Sequence, residues 1–206
     1  SDLYLSPTGA EAESWDASAA GDRSVMAYLN GTKLTLASVG CERIYADAYS
    51  GAAFRGFTSM VSIQGLKILN TSAVVYMWSL FDGCKSLTSL DLSSWDTSSV
   101  TSMSSLFSGC SALTEIKGIE QLNTSAVTSM YNLFSDCSSL TSLDLSSWDT
   151  SAVTNMCDLF YRCWSLTSLD LSSWNTSAAT NMNRAFCVCP KLKHITLGSK
   201  FVFVLE

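Results

Sequence analysis

A unit of about 26 residues repeats along most of the chain, and this repetition limits the possible folds more than any other feature. The segment LTSLDLSSWDTSSVTSMSSLFSGC at 87–110 returns as LTSLDLSSWDTSAVTNMCDLFYRC at 140–163 and as LTSLDLSSWNTSAATNMNRAFCVC at 166–189. Two diverged units begin at Gly65 and Gly118, and each carries one additional residue. Because a single unit cannot bury its own apolar side chains, several units must stack, which predicts a solenoid.

Each unit is predicted to contain one short strand and one short helix. Leu90 and Leu92 alternate with polar residues, which is the period of a strand. After a turn, Val100, Met103 and Phe107 follow one another at helical spacing. We therefore expect an α/β fold, a leucine-rich-repeat-like solenoid with one short parallel strand and one short helix per repeat.

Equivalent residues of successive units are expected to stack in columns. Three columns are apolar: Phe54, Phe81, Phe107, Phe134, Phe160 and Phe186; Met77, Met103, Met130, Met156 and Met182; and Cys84, Cys110, Cys137, Cys163 and Cys189. Neighbouring cysteines lie close enough for disulfides, but their side chains point the same way. We interpret them as small buried thiols, and the sequence predicts no metal site and no cofactor.

The two ends of the chain differ from the repeats. Residues 1–40 are predicted to form an N-terminal β-hairpin cap, with Asn30-Gly31 in a type I′ turn. Residues 41–197 form the repeat solenoid. Residues 198–206 are predicted to form a C-terminal strand, and their apolar run suggests that the chain is truncated or leads to further protein.

At this length and regularity the repeat resembles a known family. The unit L-T-S-L-D-L-S-S-W-D-T-S-x-V-T-N-M-x-x-L-F-x-x-C is similar to the repeat of BspA-like leucine-rich-repeat surface proteins of bacteria, over about residues 53–197. The resemblance implies an extracellular or cell-surface protein that acts in adhesion. It carries over no binding residues, because the family has no universal binding motif.

Charge and composition exclude several classes of function. The formal net charge is −6 and no cluster of lysine and arginine stands out, which argues against nucleic acid as a partner. No apolar run is long enough to span a bilayer, so membrane insertion is not expected. The only histidine, His194, has no neighbouring nucleophile or acid–base pattern, and we expect no enzymatic activity.

The predicted binding residues lie where the repeats differ from one another. Large aromatic side chains on the helix side replace serine or another small residue in several units, and exposed aromatic residues are typical anchors at interfaces. These candidates are Tyr76, Trp78, Tyr131, Tyr161 and Trp164. An equally weighted interpretation is that these rings pack on neighbouring repeats.

The sheet side is the rival surface. Its candidates are Asp91, Lys117, Asp144 and Asp170, which share one outward-facing column. This face is monotonous and rich in serine, so a solvated face without a ligand is the preferred interpretation.

The sequence as a whole predicts a secreted or cell-surface binding module for a host or partner-cell protein. The alternatives are a carbohydrate-binding module that uses the same aromatic residues and a structural spacer that displays another domain. An extracellular protein or a glycan is the expected partner, and the pattern selects no particular ligand or oligomeric state.

Overall fold

The computed structural model describes residues 13–16, 25–38, 44–46 and 48–204. Within these ranges the chain forms short β-strands and two 3₁₀ turns, Leu66–Ile68 and Ile119–Gln121. The strands are β1 (Glu13–Asp16), β2 (Val25–Asn30), β3 (Lys33–Ser38), β4 (Ile44–Tyr45), β5 (Ser62–Gln64), β6 (Leu69–Asn70), β7 (Ser89–Asp91), β8 (Glu115–Lys117), β9 (Ser168–Leu171) and β10 (His194–Leu197).

The strands of successive repeats pair in parallel, as stacking requires. Parallel pairs join β4 to β6, β7 to β8 and β9 to β10. A four-stranded sheet has the order β1-β2-β3-β5, with antiparallel pairing up to β3 and parallel pairing between β3 and β5. The predicted hairpin is therefore β2–β3, and it extends the sheet of the first repeat.

The hairpin turn lies one residue later than predicted. Asn30 pairs with Lys33, so the two loop residues are Gly31 and Thr32, and Gly31 has a φ of 59°. A glycine at the first loop position is typical of a type II′ turn, so the predicted type I′ turn at Asn30-Gly31 is wrong. The rest of the predicted cap, at 1–12, 17–24 and 39–40, lies outside the described residues.

One predicted repeat strand is not found, and the C-terminal strand predicted at 198–206 is not found in its described part, 198–204. Residues 142–144 form no strand, directly after the repeat whose additional residue makes the 3₁₀ turn Ile119–Gln121. There the Trp148 indole donates to the Ile119 carbonyl. Residues 198–204 also form no strand, because a turn from the Phe201 amide to the Gly198 carbonyl places Phe201 where earlier repeats have tryptophan.

The predicted helix of each repeat is wrong. No α-helix occurs in the described part of the chain, and the segments at 76–84, 102–110, 129–137, 155–163 and 181–189 are successive turns. Alternate amides of these segments bond to the next repeat, and several of the others bond to the third residue back, as in Cys84 to Phe81. The amides of Met77, Ser79, Phe81 and Gly83 donate to the carbonyls of residues 102, 104, 106 and 108, at 2.7–3.0 Å. We call this arrangement the turn ladder.

Left-handed backbone conformations make the turn ladder possible. Within the turn ladder, each repeat has two residues of positive φ, four positions apart, such as Ser105 at 56° and Gly109 at 69°. Such residues rotate alternate amides toward the neighbouring repeat. Non-glycine residues carry a cost of about 1–2 kcal/mol in this conformation, so the inter-repeat bonds must outweigh it. Where the inter-repeat hydrogen bonds outweigh this cost, the segment forms turns, although its side-chain spacing also fits a helix.

The predicted apolar columns form the core. Phe54, Phe81, Phe107, Phe134 and Phe160 are 0–1% exposed, and their rings stack with centroids 5.4–5.9 Å apart. The methionine column from Met77 to Met156 is buried beside them. Parallel stacking of identical rings continues the core from one repeat to the next.

The cysteine column consists of free thiols, as interpreted from the sequence. Each thiol donates to a phenylalanine carbonyl of the preceding repeat, for example Cys110 to Phe81 at 3.1 Å and Cys137 to Phe107 at 3.0 Å. Burial raises the pKa of Cys84 to about 12 and raises the pKa of Cys110 and Cys137 well above its ordinary value. These cysteines therefore act as small core residues.

A buried threonine closes the corner of each repeat. Thr124 is 2% exposed, and its hydroxyl donates to the Asp149 carbonyl of the next repeat at 2.9 Å. Just before it, the Asn123 side chain accepts from the Ser125 amide, as expected for a short side-chain acceptor at a turn. The corner thus supplies hydrogen bonds between repeats and within the turn.

Replacement of Gly118 by alanine should destabilise the protein strongly. Gly118 has a φ of 80°, and a Cβ there would lie 2.5 Å from the Ser93 backbone. The Ser93 backbone cannot move aside as the end of a flexible side chain can. We therefore expect a loss of at least about 3 kcal/mol in the free energy of unfolding. Gly56→Ala is the control, because Gly56 has a φ of 75° and an open surrounding, and should cost only about 1 kcal/mol. Denaturant unfolding gives both values, and equal losses would contradict the steric argument.

Thr124→Val should cost about 1–3 kcal/mol, because valine keeps the shape and leaves the Asp149 carbonyl without its donor. Thr128→Val is the matched control. Thr128 also donates to a carbonyl of the neighbouring repeat, but it is exposed, so water replaces its hydroxyl at a cost within about 0.5 kcal/mol. Thermal unfolding compares the two, and a larger loss in Thr128→Val would refute the role assigned to the buried hydroxyl.

The buried thiols should resist alkylation until the protein unfolds. At about pH 8, a pKa near 12 leaves roughly one Cys84 side chain in ten thousand as the reactive thiolate, and burial blocks access as well. Peptide mapping after iodoacetamide treatment should show early labelling of the exposed Cys187 and none of Cys84, Cys110, Cys137 or Cys163. All of them should react in denaturant. Labelling of Cys137 in the folded protein at the rate of Cys187 would disprove the buried-thiol interpretation.

Candidate binding surface

The turn ladder presents one outer surface, the turn side, which replaces the predicted helix side. Residues at equivalent positions of the ladder lie next to one another in adjacent repeats. Isolated parallel bridges mark one such column, which runs through Tyr76, Ser102, Ser129, Asn155 and Asn181. The neighbouring column, two residues further along each repeat, contains Gly51, Trp78, Ser104, Tyr131, Cys157 and Asn183. Candidate aromatic residues therefore fall into defined rows.

Trp78 and Tyr131 share one column, and both are exposed. Trp78 is 44% and Tyr131 is 40% exposed, with only Ser104 between them. Two repeats separate their backbones by roughly 10 Å, given a spacing of about 4.8 Å per strand. The Trp78 indole lies close to Gly51, where a Cβ would approach it to 2.7 Å. The preceding repeat thus leaves room for the indole on the surface.

Tyr76 has a partner that the sequence interpretation missed. Its ring stacks on Tyr49 with centroids 5.1 Å apart, and Tyr49 is 64% exposed while Tyr76 is half-buried. Tyr49 precedes Tyr76 by 27 residues, which is the repeat distance of this part of the chain. That offset was the available signal, but the diverged sequence around Tyr49 concealed it.

Tyr161 is packed by its neighbours. The guanidinium groups of Arg162 and Arg184 lie 5.0 and 4.9 Å from the ring centroid, and Arg184 is held by an ion pair of 2.7 Å with the buried Asp158. Two cations at this distance cover part of the ring surface. For Tyr161, the interpretation of packing on a neighbouring repeat therefore describes the structure better than that of a free anchor.

Trp164 is exposed but stands apart from the other candidates. It is 47% exposed and follows the buried Cys163, in a column whose other members include Ser111 and Ser138. The structure therefore brings together Tyr76, Trp78 and Tyr131 in adjacent columns and leaves Trp164 in a separate one.

The sheet-side candidates are exposed and already have partners. Lys117 donates to Asp91 at 3.1 Å. Asp144 accepts hydrogen bonds from the hydroxyl and amide of Ser146, which lower the pKa of its carboxyl, and Ser172 has the same effect on the pKa of Asp170. Each carboxylate thus stabilises its own turn, which supports the solvated-face interpretation of this side.

The described ranges contain neither a cluster of metal ligands nor a membrane-spanning helix. There, no three side chains of histidine, cysteine, aspartate or glutamate come together as metal ligands would. Those ranges also contain no helix of the length and apolar character needed to cross a bilayer.

Comparison with known proteins identifies a family and a distant structural neighbour. No curated protein matches the sequence. The crystal structure of a leucine-rich cell surface protein from Faecalibacterium prausnitzii A2-165 aligns with 18% identity and a TM-score of 0.42, over 84% of this chain and 53% of that one. This chain thus spans about half the length of that neighbour.

The family match covers the repeats. A model described as "Mycoplasma protein of unknown function, DUF285" matches residues 51–140 and 114–197, which together exceed half of the chain. These residues are the ones that form the stacked repeats. The chain therefore belongs to the family described as Mycoplasma proteins of unknown function, DUF285.

Proposed function

We propose that this chain is a binding module on the outside of a bacterial cell and that it recognises a protein of a host or partner cell, without catalysis. Support for the location comes from the resemblance of the repeat to BspA-like surface proteins. Support for binding comes from the turn side, where a regular framework carries irregular, exposed aromatic residues.

The exposure of Trp78 and Tyr131 is the observation that carries this proposal. Ser104 fills the same position in the repeat between them, so the ladder does not need a large ring there. Each ring nevertheless exposes 40% or more of its surface to solvent. Aromatic side chains with a polar surround are the usual energetic centres of protein interfaces. Serine and asparagine residues of the neighbouring column supply such a surround.

A glycan is the second candidate ligand. The stacked pair Tyr49–Tyr76 favours it, because the outward face of Tyr49 is open and an aromatic face can pack on a sugar ring. A structural spacer is the third possibility, and it predicts no ligand on either side. The sheet side is a weaker candidate, since Asp91, Asp144 and Asp170 use their oxygens locally.

The double variant Trp78→Ser/Tyr131→Ser should lose at least tenfold in affinity for its protein partner, because each ring is expected to contribute more than about 1.4 kcal/mol at an interface. Serine is the residue of the intervening repeat, so the fold should be kept. The measurement is binding of the purified chain to a panel of extracellular-matrix proteins and glycans, with circular dichroism to verify folding.

Asp144→Ser/Asp170→Ser is the matched control on the sheet side, and its binding should be unchanged. Tyr49→Ser separates the two ligand classes, since it should weaken glycan binding and spare protein binding. Equal binding by the Trp78→Ser/Tyr131→Ser variant and the original chain would place the site elsewhere. Absence of binding to any panel member would support the spacer.

A further inference from the structure

The row formed by Trp78, Ser104 and Tyr131 on the turn side has a spacing that one backbone conformation matches. Trp78 and Tyr131 stand two repeats apart in one column, next to the column of parallel bridges. At about 4.8 Å per paired strand, two repeats place their backbones roughly 9.6 Å apart. A polyproline II helix has about 3 residues per turn and rises about 3.1 Å per residue, so every third residue returns to the same side after about 9.3 Å. The two distances therefore agree to within about 0.3 Å.

The side chains of this row suit such a segment when it lies along the column. Trp78 is 44% exposed and Tyr131 is 40% exposed, so both rings are open to a ligand. Ser104 is the small residue between them, and it leaves space for the two residues that separate the contacts. Proline fits both rings, because polyproline II segments dock on surfaces lined by aromatic side chains. Two prolines at positions i and i+3 would then contact Trp78 and Tyr131.

Hydrogen-bond donors lie beside the two rings. The Ser102 hydroxyl donates to Ser104 at 3.1 Å, and the hydroxyl oxygens of Ser104 and Ser129 are 2.8 Å apart. These three hydroxyls share two hydrogen bonds, so one hydrogen is left to donate to a ligand. The exposed rings add the indole N–H of Trp78 and the phenol O–H of Tyr131. A proline residue has no N–H and offers only its carbonyl, so its backbone needs donors of this kind.

The row is uncharged, although the chain carries a formal net charge of −6. Residues 75–79, 101–105 and 128–132 include this row and the positions on either side of it, and they contain no lysine, arginine, histidine, aspartate or glutamate. A ligand with charged side chains would lose water here and gain no ion pair, so the surface favours an uncharged segment. Proline-rich segments meet this condition.

We propose that the row of Trp78, Ser104 and Tyr131 binds an uncharged, proline-rich segment of the partner protein in the polyproline II conformation, aligned with the stacking direction of the repeats. This inference rests on the proposed function, because it names the part of a protein partner that the exposed rings contact. A preformed conformation limits the entropy that the segment loses on binding, which suits a surface with only two anchors.

The first test is binding of a fluorescein-labelled proline decapeptide to the full chain, measured by fluorescence anisotropy. We expect saturable binding with a dissociation constant below about 1 mM. The variant Trp78→Ser/Tyr131→Ser should weaken this binding at least tenfold. A glycine–serine decapeptide is the control, because it is uncharged and of equal length but flexible, and it should bind at least tenfold more weakly. Equal binding of the two peptides would overturn the proposal.

The double variant Ser104→Tyr/Tyr131→Ser tests the spacing itself. It keeps one tryptophan and one tyrosine in the column but places them one repeat apart, about 4.8 Å, which is half a turn of the polyproline II helix. The fold should tolerate this exchange, because Tyr49 and Tyr76 already stack in neighbouring repeats. We expect peptide binding to fall at least tenfold while circular dichroism and thermal unfolding stay unchanged. Retained affinity would mean that the rings act as an aromatic patch without a required spacing, and it would overturn the proposal.

Two further outcomes would also overturn it. In one, an extracellular-matrix protein binds through Trp78 and Tyr131 but the proline decapeptide does not bind at millimolar concentration, so the proposed function stands and this inference fails. In the other, a neutral hexasaccharide such as maltohexaose displaces the protein partner and the proline decapeptide does not, which would identify a glycan as the ligand of the row. Displacement of the protein partner by the proline decapeptide supports the proposal.

Discussion

The hydrogen bonds of the turn ladder are the interaction on which the rest of this structure depends. They join each repeat to the next through four backbone amides, and they fix the distance at which the phenylalanine rings stack. With that distance set, cysteine thiols reach the carbonyls of the preceding repeat and threonine hydroxyls reach those of the following one. Core packing and side-chain hydrogen bonding therefore share one backbone register.

The columns of the solenoid could be predicted from the sequence, because repetition alone specifies which residues become neighbours. Phenylalanine, methionine and cysteine were placed in the core by that reasoning, and the structure buries them. The local conformation could not be obtained in the same way. A spacing of three and four residues, as in Val100, Met103 and Phe107, fits a helix and also a chain of turns. Only the partner of each amide distinguishes the two, and that partner lies a repeat away.

The candidate site was predictable to a similar extent. Variation between repeats identified Trp78 and Tyr131, whose exposure follows from the small residue between them. It also selected Tyr161, although arginines from the same and the next repeat cover that ring. The sequence could not reveal this, since the position of a guanidinium depends on the ion pair with Asp158. Tyr49 was missed because its repeat has diverged.

The common direction of the turn-ladder amides has an electrical consequence. In ordinary sheets the peptide dipoles largely cancel, but here the amides of the ladder bonds point toward the C-terminal end of the stack. Their dipoles add in the manner of a helix, with the positive pole at that end. The ionised side chains of the last described repeat add to the same polarity, since residues 171–204 contain four bases and no acid. The turn ladder therefore contributes a permanent dipole along the repeats, which favours one orientation of the molecule at a charged surface before any specific contact forms.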